Sequence, residues 1–176
     1  MPPPSPAVDA VSRLAELPGI AEQVEAAREA CTALRWHPAL RRRIPEAAAE
    51  SRVRGAVASG ELEGASLPVD VVRDIMRGAS TWSTRPDAIE MTMRGVVAAT
   101  AESERVQGHL LKAPLQALAR LHTAAAAGLL EESELGRPRQ PGEDSRELAD
   151  LGPAPASRDV AARLRGISDV LIATPT

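Results

Sequence analysis

Residues 45–64 read PEAAAESRVRGAVASGELEG and predict one helix, opened by a proline and closed by a glycine. Pro45 suits the first turn of a helix, and Gly64 suits the position just past the end, where a positive φ is common. The aliphatic residues between them recur at spacings of three and four, the period of one helix face; they are Ala49, Val53, Ala56 and Val57. We therefore expect an amphipathic helix over 45–63.

Two polar residues near the end of this helix share one face. Ser59 and Glu63 stand four residues apart, so the hydroxyl and the carboxylate lie side by side. A carboxylate at a helix C-terminus opposes the helix dipole, and stability alone would favour a cation there. A hydroxyl beside a carboxylate is a good partner for an arginine. We therefore expect Ser59 and Glu63, with Gly64 ending the helix, to plug an anion site or to bind an arginine.

The same periodicity predicts helices along the rest of the chain, and strand-like alternation is absent from the sequence. Prolines and serines between the periodic segments indicate where helices start or are capped. The expected starts or caps of the other helices are Val8, Ile20, Ser66, Pro86, Pro114 and Ser157. The fold class predicted is all-α, a bundle of about six to seven helices.

Composition divides the chain into four parts. Residues 1–7 are proline-rich, which predicts a disordered tail, and residues 8–130 form the helical domain that carries the site. Residues 131–156 are rich in Gly, Pro and charge, which indicates a long loop. Residues 157–173 form a C-terminal helix.

Several side chains are expected to be structural. Cys31 lies on the apolar stripe of the second helix, which favours a small buried residue over a nucleophile. His122 lies in an apolar row, which favours a hydrogen-bonded core histidine over a catalytic one. Glu50 and Arg54 have the spacing of an ion pair on one helix. The last helix is expected to bury Val160, Leu164, Ile167 and Leu171.

Composition also argues against several classes of protein. The net charge is −3, so general attraction to nucleic acid or to a membrane surface is not expected. A single cysteine, no signal-peptide pattern and no apolar run of membrane-spanning length fit a cytoplasmic protein. The histidines are scattered and no phosphate-binding glycine motif is present, so neither a metal site nor a nucleotide site is expected.

Four segments resemble the Fic (Fido) family of proteins, and two of them, residues 17–20 and 47–51, look like parts of the N-terminal region of actinobacterial members. The segment ASGELEGA, residues 58–65, resembles the Ser/Thr-x-x-x-Glu-Gly/Asn pattern of the family's autoinhibitory helix. The segment APLQALARLH, residues 113–122, resembles the helix that begins the Fido core in actinobacterial members. The similarity spans roughly residues 9–173 and implies a fold like the N-terminal part of a Fido fold.

The resemblance implies a regulatory element without a catalytic centre. Fic proteins transfer AMP from ATP to a hydroxyl of a target protein, using a His-Pro-Phe segment, an acidic-Gly-Asn-Gly-Arg loop and a second arginine. In the family, the inhibitory glutamate pairs with that second arginine, which otherwise holds the γ-phosphate. This chain has no phenylalanine and no Gly-Asn-Gly. No catalytic residue carries over, and ATP with Mg²⁺ is implied only for a Fic partner core.

The resemblance therefore implies a noncatalytic, antitoxin-like protein, or the N-terminal portion of a split or truncated Fic protein. Glu63 would block AMP transfer by pairing with an ATP-binding arginine of a Fic-type catalytic core, and self-association is the other expected partnership. Two alternatives stay open. One is an inactive remnant of a Fic AMP-transferase, and the other is an unrelated helical adaptor or DNA-associated regulator.

Overall fold

The computed structural model describes residues 5–38, 44–143 and 154–173. Within these ranges the chain is helical and contains no β-strand, so the predicted all-α class is confirmed. A short 3₁₀ helix, Glu132–Glu134, lies between the last two α-helices. The α-helices are α1 Pro6–Ala15, α2 Ile20–Arg35, α3 Ile44–Leu62, α4 Val69–Met76, α5 Ala88–Val106, α6 Pro114–Ala126 and α7 Ser157–Ala173.

Three helices, α1, α4 and α5, begin at residues other than those that the sequence predicted. Helix α1 begins at Pro6, inside the expected tail, because proline fits a first turn; residues 1–4 lie outside the described ranges. Ser66 does not cap α4, whose N-cap is Pro68. Pro86 does not open α5 either. Asp87 is the N-cap, and its carboxylate accepts the N–H of Glu90 at 2.8 Å.

The buried core lies where α3, α4 and α5 meet. Val72 of α4 and Met93 of α5 are fully buried. They pack with a row of aliphatic residues from α3 and the turn after it: Val53, Ala56, Val57 and Ala65. Helix α6 packs on α5, α7 on α6, α1 on α7 and α2 on α1. Outside the core, the helix packing therefore runs in one series, from α5 through α6, α7 and α1 to α2.

Two glycines allow the helices to approach closely. A Cβ on Gly60 of α3 would overlap the sulfur of Met93 and would lie 2.8 Å from the carbonyl oxygen of Ala65. A Cβ on Gly95 of α5 would overlap the carbonyl oxygen of Ala125 in α6. With no Phe or Tyr in the chain, the core is built from small and aliphatic residues at short interhelical distances.

The outer helices do not bury the residues that their periodicity suggests. None of the described residues of α1, α2 or α7 is buried, and Cys31 is exposed rather than buried. Ile167 of α7 is 48% exposed. The expectation of buried stripes on α2 and α7 is wrong. Among the described residues, α2 packs mainly on α1, so that no second helix covers its apolar stripe. Helix α7 packs on α1 and α6, which leave Val160, Leu164 and Leu171 only half-buried.

Two carboxylates link neighbouring helices. The predicted Glu50–Arg54 pair is confirmed at 2.8 Å, and Arg73 of α4 also binds Glu50 through two contacts of 3.0 Å. The hydrogen bonds from Arg73 and then Arg54 lower the pKa of Glu50. Glu102 of α5 accepts hydrogen bonds from Arg105 and from Arg120 of α6.

Burial alone would raise the pKa of Glu102, and the two arginines outweigh it, so that its pKa is lowered. The carboxylate is therefore held as an ion between α5 and α6. Such a pair fixes how the two helices are positioned relative to each other.

Residues 131–143, which we call the strap, fold back on themselves. Arg137 donates hydrogen bonds of 2.7 and 2.8 Å to the carboxylate of Glu143. The backbone N–H of Gln140 also donates to this carboxylate, at 2.6 Å. These contacts, Arg137 first, lower the pKa of Glu143 to about 2. Arg139 donates to the carbonyl of Pro155, close to the start of α7, at 2.9 Å. Residues 144–153 of the expected loop lie outside the described ranges.

The strap is joined to α6 by a hydrogen bond to a histidine. The backbone N–H of Gly136 donates to Nδ1 of His122 at 2.9 Å. The predicted hydrogen bond of His122 is present, but its predicted place in the core is wrong. The side chain is exposed, because it faces the strap and not a second helix row.

The two glycines of α3 give a matched test of the core. Gly60→Ala places a methyl group against Met93, so we expect a loss of about 1–3 kcal/mol in the free energy of unfolding. Gly55→Ala, in the same helix, meets nothing within 4 Å and should gain about 0.5–1 kcal/mol. Urea unfolding measures both. Equal effects of the two substitutions would contradict the close approach of α3 and α5.

Candidate functional site

An open groove with a volume of about 830 Å³ runs between α3 and α5. The residues on its α3 wall are Arg52, Gly55, Ser59 and Glu63. Those on its α5 wall are Thr92, Val96, Ala99, Thr100 and Ser103. The end of α6 and the turn after it add Ala125, Leu129 and Leu130. The groove is therefore bounded by three helices and lined mainly by small side chains and hydroxyls.

Helical spacing explains why these residues share the groove. On α3 the lining residues follow one another at intervals of three and four, so they lie on a single face. The structure places Ser59 and Glu63 together on that wall, beside each other and both exposed. Gly64 does not line the groove. Its role is to end the helix.

The end of α3 is fixed by backbone hydrogen bonds around Gly64. The N–H of Ala65 donates to the carbonyl of Gly60 at 2.8 Å, and the N–H of Gly64 donates to Glu61 at 3.0 Å. This pair of bonds is a Schellman motif, and it requires the positive φ of 74° that Gly64 adopts. Glu63 is consequently the last residue before the chain turns away, and the motif holds its backbone in place.

The electrostatics of the groove differ between its two ends. At one end, Arg52 is paired with Glu104 of α5. At the other end, the carboxylate of Glu63 makes no hydrogen bond or ion pair with any described residue. The C-terminal ends of α3 and α6 both border this end, and helix C-termini carry partial negative charge. The Glu63 end of the groove is therefore suited to receive a cation.

Two hydroxyls of the α5 wall, those of Thr100 and Ser103, are already engaged as donors. Thr100 donates to the carbonyl of Val96 at 2.8 Å, and Ser103 donates to the carbonyl of Thr100 at 2.7 Å. The hydroxyl of Ser59 makes no such bond within the described part of the chain. Ser59 and Glu63 are thus a polar pair on the α3 wall that is open to an external partner.

The groove does not contain a recognisable set of catalytic residues. No histidine, cysteine or lysine lines it, and Cys31 lies on α2 instead. Across the three described ranges, no group of three or more His, Cys, Asp or Glu side chains is arranged to hold a metal ion. None of the helices in those ranges is both long and apolar enough to cross a membrane. The charged side chain that the groove presents to solvent at its Glu63 end is a carboxylate.

Sequence reasoning identified the α3 wall and missed the α5 wall. The α5 residues that line the groove are spaced at helical intervals, from Thr92 through Val96 and Ala99 to Ser103. That pattern of small residues was visible in the sequence. What it does not reveal is which other helix faces it.

No known protein family, curated protein or solved structure matches this chain. The likeness to Fic proteins therefore rests on sequence segments alone, and it is strongest at residues 56–65 and 113–122. In the structure, the first of these segments covers the end of α3 and the turn after it. The second coincides with the start of α6.

Removing the charge of Glu63 should stabilise the isolated chain. The carboxylate lies at the negative end of α3 without a partner among the described residues, so Glu63→Gln should raise Tm by about 1–3 °C at low salt. The matched control is Glu46→Gln, because Glu46 lies in the first turn of the same helix, where a carboxylate is favourable. That substitution should lower Tm by a similar amount. If Glu63→Gln also lowers Tm, Glu63 has a stabilising partner inside the chain.

Proposed function

We propose that this chain is a noncatalytic, antitoxin-like regulatory protein that docks on a Fic-type catalytic core. In this proposal Glu63 contacts an arginine of the core that would otherwise hold the γ-phosphate of ATP. ATP then binds without the geometry that AMP transfer needs. The cofactors, ATP and Mg²⁺, belong to the partner and not to this chain.

The single observation that carries the proposal is the state of Glu63. Its carboxylate is exposed, lies on the wall of an open groove and makes no ion pair among the described residues. It also lies at a helix end where a negative charge is unfavourable. A carboxylate that destabilises its own helix and has no internal partner is best explained by a partner in another molecule.

The packing of the outer helices supports the idea that the chain works within a larger assembly. Helices α1, α2 and α7 bury none of their described residues. Leu34 of α2 and Trp36, which follows the helix, are each more than 60% exposed. Exposed apolar surface of this kind commonly marks an interaction site.

The choice of arginine as the contact follows from the chemistry of the groove end. A guanidinium presents several N–H donors in a plane and can bind a carboxylate and a neighbouring hydroxyl oxygen at once. Ser59 and Glu63 offer such a pair of acceptors. A hydrogen bond to a charged group of this kind contributes roughly 10- to 150-fold in affinity. That is enough to compete with one arginine–phosphate contact.

The proposal is tested by measuring AMP transfer by a Fic-type core that lacks its own inhibitory glutamate. We expect the wild-type chain to inhibit incorporation of radiolabelled AMP, and Glu63→Gly to weaken the inhibition by at least about tenfold. The matched control is Glu61→Gly, which introduces a glycine in the same turn at a residue that does not line the groove. Glu61→Gly should inhibit like the wild type.

Two results would contradict the proposal. One is equal inhibition by Glu63→Gly and the wild type, which would show that the carboxylate is not the inhibitory group. The other is a lack of any inhibition or binding by the wild-type chain, measured by calorimetry with the same core. In that second case the chain would be an inactive remnant or would belong to another class.

A second candidate function is a helical adaptor with no link to AMP transfer. The observation that favours it is the exposed apolar stripe of α2, which includes Val24 and Leu34 and is distant in sequence from the groove. An adaptor would bind its partner through this stripe, and its binding would be indifferent to Glu63→Gly. The two candidates therefore differ in which substitution weakens binding.

A further inference from the structure

Helix α2 lacks the tertiary packing that a helix of its length needs. It has 16 residues, and every one of them is exposed. Its neighbour in the described part of the chain is α1, which packs mainly on α7. An isolated helix of about this length is only marginally stable in water, because most helical stability comes from the packing of an apolar face. Helix α2 therefore needs a cover that the described residues do not supply.

The apolar residues of α2 have the spacing of a seam between two helices. They follow one another at intervals of four, three, four and three residues. This is the heptad pattern, in which an apolar residue recurs every 3.5 residues on average and faces the same pattern on a second helix. The members of this stripe are Ile20, Val24, Ala27, Cys31 and Leu34. The spacing thus favours another helix as the cover.

The sizes of these side chains fit an antiparallel pair of identical helices. If the pair is centred between residues 25 and 26, Ile20 faces Cys31 of the second copy, and Val24 faces Ala27 of the second copy. Each of these layers joins a larger side chain to a smaller one. Parallel pairing would instead set Ala27 against Ala27 and leave a gap in the middle of the seam. The stripe is therefore complementary to itself in the antiparallel direction.

The charges of α2 favour the same direction. The first half of the helix carries Glu22 and Glu25 and no cation, whereas the second half carries Arg28 and Arg35 with Glu29. Antiparallel pairing places the acidic half beside the net basic half of the second copy, and parallel pairing places like halves together. Glu25 and Arg28 form an exposed ion pair of 2.7 Å within the helix. Both lie near the centre of the antiparallel pair, where each is close to its counterpart in the second copy.

We propose that α2 is a dimerisation helix, whose stripe packs antiparallel on the same stripe of a second copy of this chain. The contact uses the same surface on both copies, so it closes into a dimer and does not continue into a filament. No residue of α2 lines the groove, so the seam and the groove share no side chain. The dimer does not depend on a Fic-type core, because it forms from this chain alone.

Sedimentation equilibrium of the full chain in reducing buffer tests the dimer. We expect the mass to rise from one chain to two between about 1 and 500 µM. Val24→Glu would bury an unpaired carboxylate from each copy in the seam, so the dissociation constant of the dimer should rise at least about tenfold. Val71→Glu, in α4, is the matched control, since the two valines are 50% and 41% exposed. It should dimerise like the wild type.

Disulfide formation under mild oxidation tests the direction of the pair. In the antiparallel pair the two Cys31 thiols are about 16 Å apart along the helix axis, so the wild type alone should not become covalently linked. The variant Ile20→Cys/Cys31→Ser places its thiol opposite Cys31 of a wild-type copy. A mixture of this variant with the wild type should give a linked dimer on a non-reducing gel, and neither protein alone should.

Three results would overturn the proposal. The first is a wild-type chain that stays monomeric over the whole concentration range, which would leave the stripe to a partner of another kind. The second is equal weakening of the dimer by Val24→Glu and Val71→Glu, because the contact would then lie outside α2. The third is linkage of the wild type alone as readily as in the mixture, which would show parallel helices.

Discussion

The approach of α3 to α5 at Gly60 is the constraint on which the rest of the structure depends. Met93 occupies the space that any side chain at residue 60 would need, and the carbonyl of the same glycine accepts the N–H of Ala65. One residue therefore serves both the packing of the core and the termination of the helix. Because α3 is fixed in this way, Glu63 is held at a defined place on the wall of the groove.

The groove is also a result of the small side chains through which the helices pack. A chain without Phe or Tyr packs its helices through Gly, Ala and Val, and where α3 and α5 are not in direct contact the small residues leave an open space. The carboxylate in that space does not stabilise the helix that carries it. Among the described residues, no ion pair or hydrogen bond to this carboxylate offsets that cost.

The sequence was sufficient to predict the helices but not to predict which helix faces are covered by other helices. Periodicity predicted α3, the Glu50–Arg54 pair and the all-α class, because these depend on residues close together in the chain. It failed for the burial of Cys31 and of Ile167, because an apolar stripe shows which face could be buried and not whether another helix lies on it. The α5 wall of the groove was missed for the same reason, since pairing between distant helices is a tertiary property.

The most direct test of the central claim is hydrogen exchange measured by mass spectrometry on this chain, alone and mixed with a Fic-type core. If the groove is the docking surface, peptides that cover residues 55–63 and 92–103 should become protected in the mixture. Peptides that cover α2 would then change less. Protection confined to α1 and α2, with the groove peptides unchanged, would contradict the account and place the partner on those two helices instead.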